Sequence, residues 1–139
     1  MKNKRALINW TGDLQFIGTD SGNHSIVISS HDDDNHTGMR PSELLLLALG
    51  SCSAYDVVKI LKKKKGKLRQ LHIEISATQA DSPPTAFTQI ELAFFIAGSN
   101  ITEKAVDHAI QLSLERYCSV AATIEKVSEI SYSYTLEQT

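Results

Sequence analysis

Cys52 and Cys118, the only cysteines in this chain, are its strongest candidates for chemistry. A thiolate attacks electrophilic oxygen and sulfur, and two thiols that meet can pass reversibly through a disulfide. Cys52 lies within Gly50-Ser51-Cys52-Ser53-Ala54, where small neighbours leave a helical sulfur open to approach from outside. Tyr55, Asp56 and Lys59 follow it at helical spacing on the same face. Cys118 falls where one helix is expected to end and another to begin. A thiol at a helix N-terminus tends toward thiolate, so by this argument Cys118 is the more acidic of the two. The plain alternative is that both thiols only pack, because free cysteine is among the most buried residue types and two distant cysteines form no motif.

Other groupings carry less. His31-Asp32-Asp33-Asp34-Asn35-His36 has the composition of a hard-metal cluster. It lacks the fixed glycine and distal glutamate of a calcium loop, and reads as an exposed, metal-free turn. Lys62 to Lys65 suit the negative end of a helix better than a phosphate or nucleic-acid site. His72 and His108 each sit on a polar face. There is no Ser-His-Asp order, phosphate-binding glycine loop or dinucleotide fingerprint, so no cofactor is expected.

Sixteen acidic against fourteen basic residues give a net charge of −2, which supplies no attraction to nucleic acid or an acidic membrane. The charged start, Met1-Lys2-Asn3-Lys4-Arg5, is not followed by the apolar stretch of a signal peptide. The apolar run Leu44 to Leu49 is far short of a membrane span. A cytoplasmic location follows as the expectation, with the cysteines held as thiols in a reducing compartment.

The elements that must position these thiols form one domain over residues 1–139, with no repeat or linker. Short strands are expected at Ala6–Trp10, Leu14–Ile17 and Ser25–Ser29, joined by turns at Gly12-Asp13 and Asp20-Ser21-Gly22-Asn23. A long helix opens at Arg40-Pro41-Ser42-Glu43 and closes at Lys62–Lys65, with Gly66 as its C′ residue. Its first half is apolar on every side, so it must be covered on every side. About 25 residues give roughly 37 Å of helix, close to the whole diameter (about 37 Å) of such a domain, and a second copy of the chain is the natural cover. Alternating strands follow at Leu71–Thr78 and Ile90–Ile96. Asn100 and Glu103 resemble a capping box for a second helix, whose inner face is Val106, Ala109, Ile110, Ser113 and Tyr117. A break near Cys118-Ser119, a short helix to Lys126 and a strand at Ile130–Leu136 complete an α+β order.

Arg40-Pro41-Ser42-Glu43-Leu44-Leu45, the eleven residues from Pro41 to Cys52, and Tyr117-Cys118-Ser119-Val120 resemble the OsmC/Ohr family, and within it the YhfA-like branch. In that family a Pro-Glu-led helix carries a first cysteine and a second follows at a separation like the 66 residues found here. The resemblance implies an OsmC-like fold and an intertwined homodimer with sites at the subunit interface. It further implies reduction of an organic hydroperoxide, with attack by Cys52, resolution by Cys118 and regeneration by a dithiol reductant, in defence against oxidative or osmotic stress. Glu43 and Arg40 are the helpers it suggests. Ser42 stands at the family's glutamate position, Arg5 is the only arginine offered by the N-terminal strands, and Ser119 replaces a proline. Those differences keep open a non-catalytic dimer of the same fold that binds a small apolar ligand.

Overall fold

The computed structural model describes residues 2–139, in two compact units that divide within the long helix, one ending at Leu46 and the other spanning Leu47–Thr139. In the first unit, β1 (Ala6–Gly12), β2 (Gln15–Asp20) and β3 (Ser25–Ser29) form an antiparallel sheet in that order. Both expected turns are present. Gly12 and Asp13 take positive φ at the first, and at the second Asp20 Oδ1 accepts from the amides of Gly22 and His24 while Asn23 turns left-handed.

The loop after β3 is exposed at Asp32, Asp33, Asp34 and His36, as expected, but is tied inward around Ser29 and Asn35. Ser29 is buried and its Oγ accepts from the amides of Gly38 (2.9 Å) and Thr37 (3.2 Å). Asn35 is buried too, accepting from the Leu14 amide at 3.0 Å and donating to Asp32 at 2.8 Å. His31 is half-buried, hydrogen-bonded to Gly38 O, with its ring tilted against that of His36. The polar composition that reads as exposure instead supplies the internal hydrogen bonds that close an irregular loop.

Helix α1 runs Pro41–Lys63. Its left-handed residue is Lys65 (φ 65°) and not Gly66, whose amide donates back to Leu61 O at 2.9 Å. As a whole α1 is long and apolar enough, by length and composition, to cross a bilayer, which its short leucine run alone did not suggest. Leu49, Val57 and Leu61 are buried, whereas Leu45, Leu47, Tyr55 and Val58 remain exposed.

In the second unit β4 (Lys67–Gln79) pairs antiparallel with β5 (Phe87–Ser99), and β5 pairs parallel with β6 (Glu129–Gln138). Each strand extends beyond its expected bounds, because the alternating apolar residues mark only the buried stretch. The register sets Ile75, Leu92 and Tyr132 abreast, with Ile73, Phe94 and Tyr134 in the next row. This face receives the helices, for Gly50 of α1 lies against Ile75 and Asp107 of α2 (Glu103–Leu112) accepts from Tyr132 Oη at 2.6 Å. On the opposite face His72 stacks on Phe95. Helices on one face of a sheet make the α+β arrangement expected from the element order.

Two details of α2 differ from the sequence reading. Its N-cap is Thr102, which accepts from the Ala105 amide at 3.0 Å; Asn100 instead turns left-handed and donates to Lys65 O. Val106, Ala109, Ile110 and Ser113 are buried as expected, but Tyr117 is 58% exposed. A π turn over Ser113–Tyr117 causes this, since its wider turn carries later residues out of phase with the helix face.

A Cβ on Gly98 would lie 2.3 Å from Lys67 O, a main-chain atom of the paired strand, with Ile101 Cδ1 at 2.8 Å. On Gly50 it would meet only the Ile75 side chain, closest at its far end, Cδ1, at 2.5 Å. Gly98→Ala is therefore expected to lower stability by about 2 kcal/mol or more, read as a lower melting temperature. Gly50→Ala, gaining about 1 kcal/mol of helix propensity against its contact, should stay near wild type. Equal melting temperatures for the two variants would contradict the packing.

Candidate functional site

The second unit brings Cys52 and Cys118 together. Cys52 is half-buried in the middle of α1, and Gly50 one half-turn earlier allows that stretch to lie close to β4 at Ile75. Cys118 follows the π turn, where its amide donates to Ser113 O at 2.7 Å and so reaches five residues back instead of four. Its backbone then becomes extended and it serves as N-cap of α3 (Ser119–Ile124), with Sγ accepting from the Ala121 amide at 3.3 Å. The expected helix break is thus present, and a cysteine occupies the capping position usually given to Ser, Thr, Asp or Asn.

This placement overrides the acidity expected of Cys118. The cap bond from Ala121 favours a thiolate, as the sequence argument held. Burial opposes it and is the larger effect, for Cys118 is only 3% exposed. Next in size is the neighbouring Cys52, which raises the Cys118 pKa further. Together they push the Cys118 thiol up to about 12. Cys118 therefore remains protonated at neutral pH beside the more accessible Cys52.

Beneath the thiols lies a polar contact not expected from the sequence. Ser113, fully buried, donates to Asp56 Oδ2 at 2.8 Å and lies 3.1 Å from Ser53 Oγ, itself fully buried. The available signal was one polar residue on an otherwise apolar helix face, since a buried hydroxyl must find a partner. Lys59 Nζ stands 5.1 Å over the exposed ring of Tyr55, so two of the three neighbours expected on the Cys52 face pair with each other.

The other sequence candidates lie in the first unit. Arg40 is exposed immediately before α1, Glu43 is exposed in its first turn, and neither makes an ion pair among the described residues. Ser42 is half-buried beside Glu43, and Arg5 is exposed ahead of β1. Among the described residues no three His, Cys, Asp or Glu side chains are grouped to hold a metal ion.

The fold and the paired thiols define a class, small α+β proteins of OsmC-like architecture. The match to the family model "OsmC-like protein" over residues 31–133 places the chain in that family. It is 35% identical to Protein YhfA of Escherichia coli over 130 residues, which cover 94% of this chain and 96% of that protein. A crystal structure of a hypothetical protein from Aquifex aeolicus superposes with a TM-score of 0.90 at 28% identity, covering 100% of this chain and 99% of that one. An organic hydroperoxide resistance protein from Legionella pneumophila shares the fold at a TM-score of 0.68 and 10% identity, covering 97% and 98%.

The raised Cys118 thiol makes stability depend on alkaline pH. In the unfolded chain it titrates near the ordinary cysteine value of about 8.5, in the folded chain only near about 12. Between those values the unfolded state binds fewer protons, so the contribution is complete below the unfolded value and fades as pH rises toward the folded one. Cys118→Ala should melt below wild type at pH 7, and the gap should narrow steadily from pH 8 to 10.5. A gap that is constant or widening over that range would contradict the buried, protonated thiol.

Proposed function

We propose that this protein reduces organic hydroperoxides through Cys52 and Cys118. The observation that carries the reading is the meeting of a half-buried thiol on α1 with a buried, protonated one at the start of α3. The family includes organic hydroperoxide resistance proteins, which makes that substrate class the natural one. Cys52 as thiolate attacks the distal oxygen of ROOH; the O–O bond breaks, ROH leaves after protonation, and Cys52 becomes a sulfenic acid. The thiol of Cys118 then displaces that hydroxyl as water and an S–S bond forms. A dithiol reductant returns both cysteines to thiols by exchange, so that ROOH and the dithiol become ROH, water and a disulfide.

The division of labour follows from the two environments. Cys52, the more accessible sulfur, is proposed to attack, and Cys118, kept protonated by burial, is proposed to resolve. Arg40 and Glu43 are proposed as helpers of this step, Arg40 by offering a cation to the thiolate. The dithiol supply fits a cytoplasmic location.

After thiol blocking and unfolding, mass spectrometry of protein treated with equimolar cumene hydroperoxide should find a Cys52–Cys118 disulfide. Cys118→Ser should stop at sulfenic acid on Cys52 or proceed to over-oxidation, and Cys52→Ser should consume no peroxide rapidly. Arg40→Ala should slow oxidation if Arg40 supplies the cation, and Arg5→Ala if Arg5 does. Two fully reduced cysteines in treated wild type would reject the redox reading and leave thiols that only pack.

The active form is proposed to be an intertwined homodimer in which residues 1–139 form one domain. Leu45, Leu47, Tyr55 and Val58 on α1, with Leu7, Ile8 and Trp10 on β1, are apolar surface that one copy of the chain leaves exposed. Sedimentation at micromolar concentration should give the mass of two chains. A compact, stable monomer would overturn the proposal.

A further inference from the structure

Ser113 is the one residue of the π turn tied to both cysteine-bearing segments. Its carbonyl holds the Cys118 amide at 2.7 Å. Its hydroxyl donates to Asp56, four residues after Cys52, and touches Ser53, the residue next to Cys52. Ser113 and Ser53 are both fully buried, so neither hydroxyl can exchange its protein partner for water without opening the core.

We infer that Ser113 is a positioning residue that clasps α1 to the π turn and thereby sets how closely Cys118 can approach Cys52. A regular α-helix through this segment would bond the Tyr117 amide to Ser113 O; the π turn gives that carbonyl to Cys118 instead. The side-chain bond to Asp56 then holds the same residue against the turn of α1 that follows the first thiol. Backbone and side chain of one serine thus span the gap that a disulfide must close, and disulfide geometry tolerates little error, with Cα atoms beyond about 7 Å unable to be bridged without backbone movement. Preorganising the two thiols favours the disulfide over the dithiol and leaves the intrinsic reactivity of each sulfur alone. Asp56 contributes as an acceptor and not through its charge, because an anion one turn from Cys52 would disfavour the thiolate.

The inference rests on the two-cysteine reading but is tested without any hydroperoxide. The full-length protein is equilibrated with mixtures of reduced and oxidised dithiothreitol, and the Cys52–Cys118 disulfide is quantified by thiol blocking and mass spectrometry. Ser113→Ala should weaken the disulfide at least tenfold relative to the reference dithiol, equivalent to about 30 mV. Asp56→Ala should act in the same direction, whereas Asp56→Asn, which keeps an acceptor, should remain within twofold of wild type. Gly98→Ala, destabilising but remote from the thiols, should lower the melting temperature and leave the disulfide equilibrium unmoved, which separates positioning from general loss of stability. Should Ser113→Ala fail to fold, the Asp56→Ala and Asp56→Asn pair decides. A disulfide equilibrium within twofold of wild type in Ser113→Ala, or equal weakening in Asp56→Asn and Asp56→Ala, overturns the clasp. A disulfide that depends on Ser113 in a protein that consumes no hydroperoxide upholds the clasp and rejects the proposed function. Wild type that forms no disulfide at all rejects both.

Discussion

The competition between burial and capping at Cys118 governs the character of this site. A thiol that accepts from the Ala121 amide at the head of α3 is placed where a thiolate should be favoured. The same thiol is almost wholly removed from water, and removing water from a prospective charge outweighs one weak sulfur acceptor bond. The result is a protonated thiol beside Cys52, the more accessible of the two. Desolvation thus assigns Cys118 its proton.

That assignment depends on the π turn. Had α2 continued as a regular helix through Ser113–Tyr117, Cys118 would have been another helical residue with its amide bonded four residues back. The wider turn, closed by the Cys118 amide on Ser113 O, ends the helix in an extended residue that can cap a new one. It also carries Tyr117 into solvent, so the side chain just before the buried thiol is exposed. A local departure from helical geometry thus separates an exposed aromatic from a buried thiol in consecutive residues, as strained or irregular turns near functional groups often do.

The order of elements was legible because alternation and helical periodicity report which face is buried, and that information is local. Strands β4, β5 and β6 read clearly for this reason, though their polar ends did not, since a strand extends as far as its backbone pairing and not only as far as its apolar residues. The caps were less legible. Asn100 and Thr102 both have capping chemistry, and the choice between them was made by the Lys65 carbonyl, thirty-five residues away, which takes the Asn100 amide. The His31–His36 loop, exposed at four of its six residues, hid the burial of Asn35 for a similar reason. Its polar side chains satisfy neighbouring main-chain groups, such as the Leu14 amide bound by Asn35, and composition alone does not reveal whether a polar group faces water or backbone.

At the site itself the pair of cysteines was visible and their relation was not. Helical spacing placed Asp56 on the face of Cys52 and Ser113 on the inner face of α2, but no periodicity within either helix can show that the two side chains meet. Burial has the same non-local character. A helix start that favours a thiolate at Cys118 is a local property, whereas desolvation is set by whatever packs around the sulfur. Non-local burial therefore overruled local dipole and cap, and the same ranking applies to any ionisable cap residue that a fold encloses: the helix end decides the pKa only while water still reaches the group.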